Sequence, residues 1–172
     1  INIVTDEFPA IGLAVEPAQS DLMTKKPRGP AEPILTRGLF LYTLGISATI
    51  FIGVLGLYIH ALRSGAPIEE ARTTVFAALV IFELYNAYNS RSLRDSFFKM
   101  DPRTNGKLIL GIAASLGALM VAIYHPFMQR LFETAPLNAE SWAAIVVAAS
   151  VVVVVAEIFK RWELPERRAP AP

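Results

Sequence analysis

The longest apolar segment of the sequence, residues 38–62, contains no Asp, Glu, Lys or Arg. As a helix it is long enough to cross a hydrocarbon core of about 30 Å with some tilt. Three further predominantly apolar segments follow at residues 73–90, 108–124 and 142–159. Because backbone polar groups find no water inside a bilayer, each segment must satisfy them internally as a helix. The pattern predicts an all-α, multi-pass integral membrane protein with four full transmembrane helices.

Polar segments separate these helices and divide the chain into four parts. Residues 1–16 are predicted to be the end of a fifth, proline-broken transmembrane helix, and residues 17–36 a proline-rich connector. Residues 37–162 form the predicted four-span domain, and residues 163–172 a polar tail that is predicted to be disordered. The chain has no cysteine, which excludes disulfides and thiolate metal sites.

Lys and Arg residues concentrate on one side of the predicted membrane domain. Of the 16 in the chain, four lie in or directly after the connector, five in the loop 91–107 and four near the C terminus. Because cytoplasmic segments of membrane proteins carry such an excess of positive charge, the connector, this loop and the C terminus are predicted to be cytoplasmic. The lipid bilayer is the expected partner, and the net charge of only +1 argues against nucleic acid.

The first segment groups three oxygen-bearing side chains on one helix face. Asn2, Thr5 and Asp6 stand at positions i, i+3 and i+4. Pro9 has no backbone N–H, so the Thr5 carbonyl one turn earlier is predicted to lose its partner in the helix. Side-chain oxygens and freed carbonyls suit a hard cation such as calcium, magnesium or manganese. The alternative is an ordinary helix end with a turn before a proline.

A further candidate ligand stands within the predicted helix 73–90. Glu83 is an ionisable group in an apolar segment, and such groups are costly to bury and commonly mark ion paths. Asn86 and Ser90 extend from it at i+3 and i+7 as one polar stripe. The alternative is a protonated Glu83 that hydrogen-bonds a neighbouring helix. We interpret Glu83 as a cation ligand.

The predicted helix 108–124 has no ionisable group apart from its terminal tyrosine, and we expect it to serve in packing. Gly111 and Ser115 form a small-xxx-small pair, as do Ala114 and Ala118. Small residues at this spacing are typical of transmembrane helices that approach one another closely.

Two of the polar motifs resemble a known family. The pattern N-x-x-T-D-x-x-P-A at residues 2–10 resembles the sixth membrane helix of the P-type cation-pumping ATPases, although Glu7 stands where the calcium pumps usually carry glycine. The sequence FELYNAYNS at residues 82–90 resembles the eighth helix of the calcium pumps, in which the acid at the position of Glu83 is an ion ligand. Residues 124–132 also look like the corresponding loop of the secretory-pathway calcium/manganese pumps.

This resemblance implies the C-terminal membrane region, from the end of the sixth helix to the tenth, of an ATP-driven pump of the calcium-pump-like branch. We expect Asn2, Thr5, Asp6 and Glu83 to be its share of the ligands for a transported divalent cation, Ca²⁺ ahead of Mn²⁺. ATP and Mg²⁺ are expected only in cytoplasmic domains that this sequence lacks, as it lacks the D-K-T-G phosphorylation motif. The expected partners are the remaining transmembrane helices and cytoplasmic domains, and this part alone is expected to be inactive.

Three other functions stay open at the level of the sequence. One is a non-catalytic four-helix scaffold that stabilises another membrane protein. A second is a P-type pump of the sodium/potassium or proton type. A third is a secondary transporter with broken helices, which predicts an inverted repeat, and the pattern of residues 2–9 has no second copy in the sequence.

Overall fold

The computed structural model describes residues 2–18, 33, 35–93 and 95–162. This described part contains six α-helices: α1 Asn2–Ala14, α2 Arg37–Arg63, α3 Ile68–Asn89, α4 Gly106–Tyr124, α5 Pro126–Phe132 and α6 Ala139–Trp162. Two short 3₁₀ helices, Phe97–Lys99 and Pro102–Asn105, lie between α3 and α4. The predicted all-α architecture is confirmed. Most of the predicted connector, and the whole tail 163–172, lie outside the described residues.

Three of the described helical segments are long and apolar enough to cross a membrane: Arg37–Arg63, Pro102–Tyr124 and Ala139–Arg161. The fourth predicted span is α3, which has 22 residues and is therefore about 33 Å long. It is more polar than the others because it begins with Glu69 and Glu70 and carries Glu83 in its second half. A helix tolerates such groups where other helices, rather than lipid, surround it.

α3 has the central position that this tolerance requires. It contacts α1, α2, α4 and α6. Val80 and Phe82 of α3 are fully buried in one apolar core with Leu57 of α2 and with Ile145 and Val152 of α6. Polar side chains on α3 therefore have neighbouring helices on several sides.

A buried polar network joins α2, α3 and α6 at the end of α3. Lys160, which is 7% exposed, donates from Nζ to Asn89 Oδ1 at 2.8 Å and to the Asn89 carbonyl at 3.2 Å. Its Nζ also donates to the Asp95 carbonyl at 3.0 Å, and Asn89 Nδ2 donates to the Tyr42 hydroxyl at 2.9 Å. The positive charge thus lies at the negative end of the α3 dipole, where carbonyls have no partner within their helix.

α1 packs antiparallel against α4, with glycine on both sides of the contact. A Cβ atom added to Gly12 would lie 2.5 Å from the Leu108 Cα, and one added to Gly111 would lie 2.6 Å from the Phe8 carbonyl oxygen. Residue numbers therefore fall along α1 as they rise along α4. The absence of a Cβ lets the two backbones approach this closely.

We expect Gly111→Ala to force α1 and α4 apart, because the new methyl group meets a backbone carbonyl rather than a flexible side chain. The expected loss in the free energy of unfolding is about 1–3 kcal/mol. Gly117→Ala in the same helix is the matched control, since a Cβ there meets nothing within 4 Å. Thermal unfolding of the detergent-solubilised protein measures both variants, and equal melting temperatures would contradict the close packing.

Lys160→Met removes three hydrogen bonds, two of them to buried oxygen atoms of Asn89, and is expected to destabilise the fold by about 2 kcal/mol or more. Arg161→Met is the matched control, because Arg161 is the exposed neighbour of Lys160 in the same helical turn. Its expected effect is within about 0.5 kcal/mol. Unfolding by denaturant in mixed micelles gives both free energies. Similar losses in the two variants would show that the Lys160 network adds nothing to stability.

Candidate cation site

Thr5 and Asp6 occupy the first half of α1, where Thr5 is 1% exposed and Asp6 is partly buried. Asn2 also lies in α1, although its side chain is outside the described part of the chain. Pro9 lies inside the helix, which continues to Ala14. This corrects the predicted break. The proline removes one hydrogen bond from the helix without ending it.

Ser115 of α4 supplies a hydrogen bond in place of the one that Pro9 cannot make. In an uninterrupted helix the Thr5 carbonyl accepts from the N–H of residue 9. Here it accepts from Ser115 Oγ over 2.6 Å, and Ser115 is fully buried. The carbonyl that was predicted to lose its partner is therefore engaged by another helix.

α3 adds a second group of oxygen atoms beside α1. Glu83 and Asn86 are partly buried, stand at i and i+3, and lie on the helix that contacts α1. Three buried side-chain oxygens accept no hydrogen bond from the described residues: Asp6 Oδ1, Glu83 Oε2 and Asn86 Oδ1. Both carboxylate residues also make other interactions. Carboxylate and amide oxygens are the donors that hard cations bind.

This arrangement differs from a cage of acidic ligands. Within residues 2–18, 33, 35–93 and 95–162, no three His, Asp or Glu side chains group closely enough to hold a metal ion. The two acidic groups stand on different helices, Asp6 on α1 and Glu83 on α3. A cation bound between these helices would take two charged ligands and complete its shell from neutral oxygens, which calcium accepts.

Asn86 is a candidate ligand that the predicted set did not include. Its spacing from Glu83 indicated a shared helix face, but an amide has no charge to distinguish it from a packing residue. Ser115 was likewise expected to serve in packing, because a serine in a small-xxx-small pair is typical of a helix contact. The signal that identifies it is Pro9, whose effect on the Thr5 carbonyl requires a donor from outside the helix.

A second polar network holds the end of α1 against the loop that follows α3. The Arg91 guanidinium binds the Glu16 carboxylate, with Nη2 at 2.8 Å and Nε at 2.9 Å from Oε1. Asn105 Nδ2 donates to the Gly12 carbonyl at 2.9 Å and also to Glu16 Oε2. Asn105 Oδ1 accepts from the Leu108 N–H, which caps the start of α4. One asparagine thus joins the end of α1 to the beginning of α4.

The electrostatics of this network keep Glu16 ionised. Partial burial opposes its charge, but hydrogen bonds from Arg91 and Asn105 and the charge of Arg91 outweigh burial, so the pKa of Glu16 lies below its ordinary value. The hydrogen bond with Glu16 in turn raises the pKa of Arg91. Arg91 also lies over the Tyr88 ring, 5.2 Å from its centroid, which adds a cation–π contact.

Comparison with known proteins identifies the family to which this chain belongs. The family described as "Cation transporting ATPase, C-terminus" matches residues 1–162. The chain belongs to this family. The matched range includes α1 and α3, the two helices that carry the candidate acidic ligands.

The chain is similar to cation-transporting ATPases from mammals and bacteria. Calcium-transporting ATPase type 2C member 1 of Bos taurus is 32% identical over 172 residues, which are 100% of this chain and 18% of that protein. The human protein of the same name is 33% identical over 163 residues, or 95% of this chain and 18% of that protein. Probable cation-transporting ATPase F of Mycobacterium tuberculosis is 32% identical over 155 residues, or 90% and 17%. The chain therefore spans less than a fifth of the length of these relatives.

Acidification is expected to weaken the contact between Glu16 and Arg91. Because the pKa of Glu16 is lowered in the folded protein, its stabilising contribution is fully present above the ordinary value of 4.5 and is lost as the pH falls through the folded value. Glu16→Gln is expected to be about 1 kcal/mol less stable than wild type at neutral pH and to lose less on acidification. Thermal unfolding across this pH range measures both.

Glu7→Gln is the matched control for this experiment, because Glu7 is exposed on the same helix. It is expected to follow the wild-type pH dependence. Parallel pH dependences for Glu16→Gln and wild type would contradict the ion pair.

Proposed function

We propose that this chain is the membrane-embedded C-terminal part of an ATP-driven P-type cation pump and supplies ligands to its transport site. Its membership of the cation-transporting ATPase family supports this proposal, as do the names of its relatives, which are calcium- or cation-transporting ATPases. ATP and Mg²⁺ act in cytoplasmic domains outside this chain. The transported cation is the substrate of the site.

Asn2, Thr5, Asp6 and Glu83 are the proposed ligands. The observation that carries this assignment is the contact between α1 and α3, which hold the two acidic side chains with a buried oxygen on each. Asp6 supplies the principal negative charge and Glu83 the second, and Asn2 and Thr5 add neutral oxygens. Asn86, whose amide oxygen is also buried, is a further neutral donor.

The charge of this donor set favours a divalent cation. Two carboxylates removed from water repel each other, and a doubly charged ion neutralises both, whereas a sodium or potassium ion leaves one charge uncompensated. Calcium takes about six to eight oxygens in irregular geometry, which suits donors from separate helices better than the strict octahedron of magnesium. We therefore propose Ca²⁺ as the transported ion, with Mn²⁺ as the second candidate.

The separation of the two charges between helices also gives the site a means to change its affinity. The attraction between a cation and each carboxylate depends on their distance and on the exclusion of water. A shift of α1 against α3 therefore alters the affinity for the ion without any change in the ligands themselves. In this proposal phosphorylation of the cytoplasmic domains drives such a shift.

The proposed topology has residues 17–36, 91–107 and 163–172 in the cytoplasm, in accordance with the excess of Lys and Arg in these segments. α2, α3, α4 and α6 cross the bilayer, so these four crossings return the chain to the side on which the connector 17–36 lies. Lipid and the remaining transmembrane helices of the pump cover apolar side chains that this part leaves exposed, such as Phe51 and Ile52 of α2, each 67% exposed.

Asp6→Asn and Glu83→Gln in the complete pump are expected to raise the Ca²⁺ concentration for half-maximal ATPase activity by about tenfold or more, because each removes one charged ligand. The activity is measured in membranes with Ca²⁺ and Mn²⁺ titrated separately. Glu69→Gln is the matched control, since Glu69 is an exposed acid in the first turn of α3.

The two variants together distinguish the pump site from a scaffold. Activation by one ion that weakens in both variants, but not in Glu69→Gln, supports the proposed ligands. Wild-type ion dependence in both would mean that the two carboxylates serve packing, and the site assignment would be wrong. Absence of any cation-dependent ATPase activity in the wild-type pump would contradict the transport function itself.

A further inference from the structure

We propose that Ser115 is a positioning residue for the cation site, in which its hydroxyl replaces the hydrogen bond lost at Pro9 and fixes the backbone between Thr5 and Asp6. This inference rests on the proposed function, because it concerns the same ligands. Ser115 belongs to α4, which supplies none of the proposed ligands. Its contribution is therefore indirect, through the geometry of α1.

The first step is the replacement of a donor. Pro9 has no N–H for the Thr5 carbonyl, and Ser115 Oγ donates to that carbonyl at 2.6 Å. Ser115 is fully buried and Thr5 is 1% exposed, so bulk water does not take over this hydrogen bond if the hydroxyl is removed. Removal of the hydroxyl therefore leaves the Thr5 carbonyl without this donor in a buried setting.

The second step is the effect of this carbonyl on the ligands. The Thr5 carbonyl and the Asp6 Cα belong to one peptide unit, which is planar because its C–N bond has partial double-bond character. A hydrogen bond that fixes the direction of the carbonyl therefore also fixes the peptide plane from which the Asp6 side chain extends. The side chain of Thr5, a proposed neutral ligand, extends from the Cα at the other end of the same peptide unit.

The third step is the packing that allows a short side chain to reach a backbone. Gly111 lies one turn before Ser115 in α4, against the Phe8 carbonyl and Pro9. Gly12 allows the same close approach one turn further along α1, against Leu108. Because the backbones nearly touch, a hydroxyl only one carbon from the main chain of α4 reaches the Thr5 carbonyl. The two glycines and Ser115 thus act together along the contact between α1 and α4.

The test is Ser115→Ala in the complete pump, assayed for the Ca²⁺ concentration at half-maximal activation and for maximal ATPase rate. We expect the half-activating concentration to rise about tenfold, as is usual when a group that orients a metal ligand is removed, with a smaller change in maximal rate. Ser150→Ala is the matched control, because Ser150 is exposed on α6 and, among the described residues, its hydroxyl bonds the Val147 carbonyl of its own helix and no other helix.

A second-site change tests the pathway through the carbonyl. Pro9→Ala restores the N–H that normally reaches residue 5, so the double variant Pro9→Ala/Ser115→Ala is expected to recover most of the Ca²⁺ affinity lost in Ser115→Ala. If Ser115 acted only by filling space between the helices, the double variant would show no recovery, since the hydroxyl is absent from both the single and the double variant. Failure of the double variant to recover would overturn the inference. The comparison is a double-mutant cycle between contacting groups.

Further measurements keep the result decisive. Equilibrium binding of radiolabelled Ca²⁺ reports the site independently of turnover. If Ser115→Ala does not accumulate in membranes, Ser115→Cys takes its place, because a thiol is a weaker donor of similar size. Unchanged Ca²⁺ affinity in the Ser115 variant, with reduced affinity in Asp6→Asn, would refute the positioning role and leave the proposed function intact. Unchanged affinity in both would refute the proposed site as well.

Discussion

The absence of water around a membrane helix means that a polar group must find its partner within the protein, and this requirement shapes the helix cluster. Three contacts between elements meet it: Ser115 with the Thr5 carbonyl, Lys160 with the Asn89 carbonyl, and Asn105 with the Gly12 carbonyl. In each case the acceptor is a backbone oxygen that a proline or a helix end leaves open. The helices of the cluster therefore complete one another.

The charged groups of the cluster divide into two kinds. Lys160 and Arg91 have their donors directed at several oxygen atoms, and each links elements that are distant in sequence. Asp6 and Glu83 each retain a buried oxygen that accepts no hydrogen bond from the described residues. A group of the first kind holds helices in place, whereas the two carboxylates of the second kind are the ones that the proposed function assigns to a cation. Glu83 lies six residues before Asn89, so the helix that Lys160 fixes at its end also carries this proposed ligand.

The absence of water in the bilayer also determines how much of the fold can be predicted from the sequence. The apolar segment 38–62 corresponds to α2, Arg37–Arg63, because a bilayer leaves an apolar chain of that length little choice but a helix. The sequence does not predict that α1 continues through Pro9, that Lys160 reaches α3, or that Ser115 binds the Thr5 carbonyl. Each depends on which helices are neighbours, and periodicity within a single helix contains no such information. Asn86 lies on the polar stripe that the sequence shows, and only the burial of its amide oxygen distinguishes it from a packing residue.

The hydrogen bond between Thr5 and Ser115 joins residues 110 positions apart, which has a consequence for how the protein is made. The ribosome completes α1 long before it reaches α4, and in that interval the proline gap in α1 has no serine opposite it. The hydrogen bonding of α1 is therefore completed only when α4 has been made. Formation of the contact between α1 and α4 is in this way a late event of biosynthesis, and an error in α4 affects the beginning of the chain.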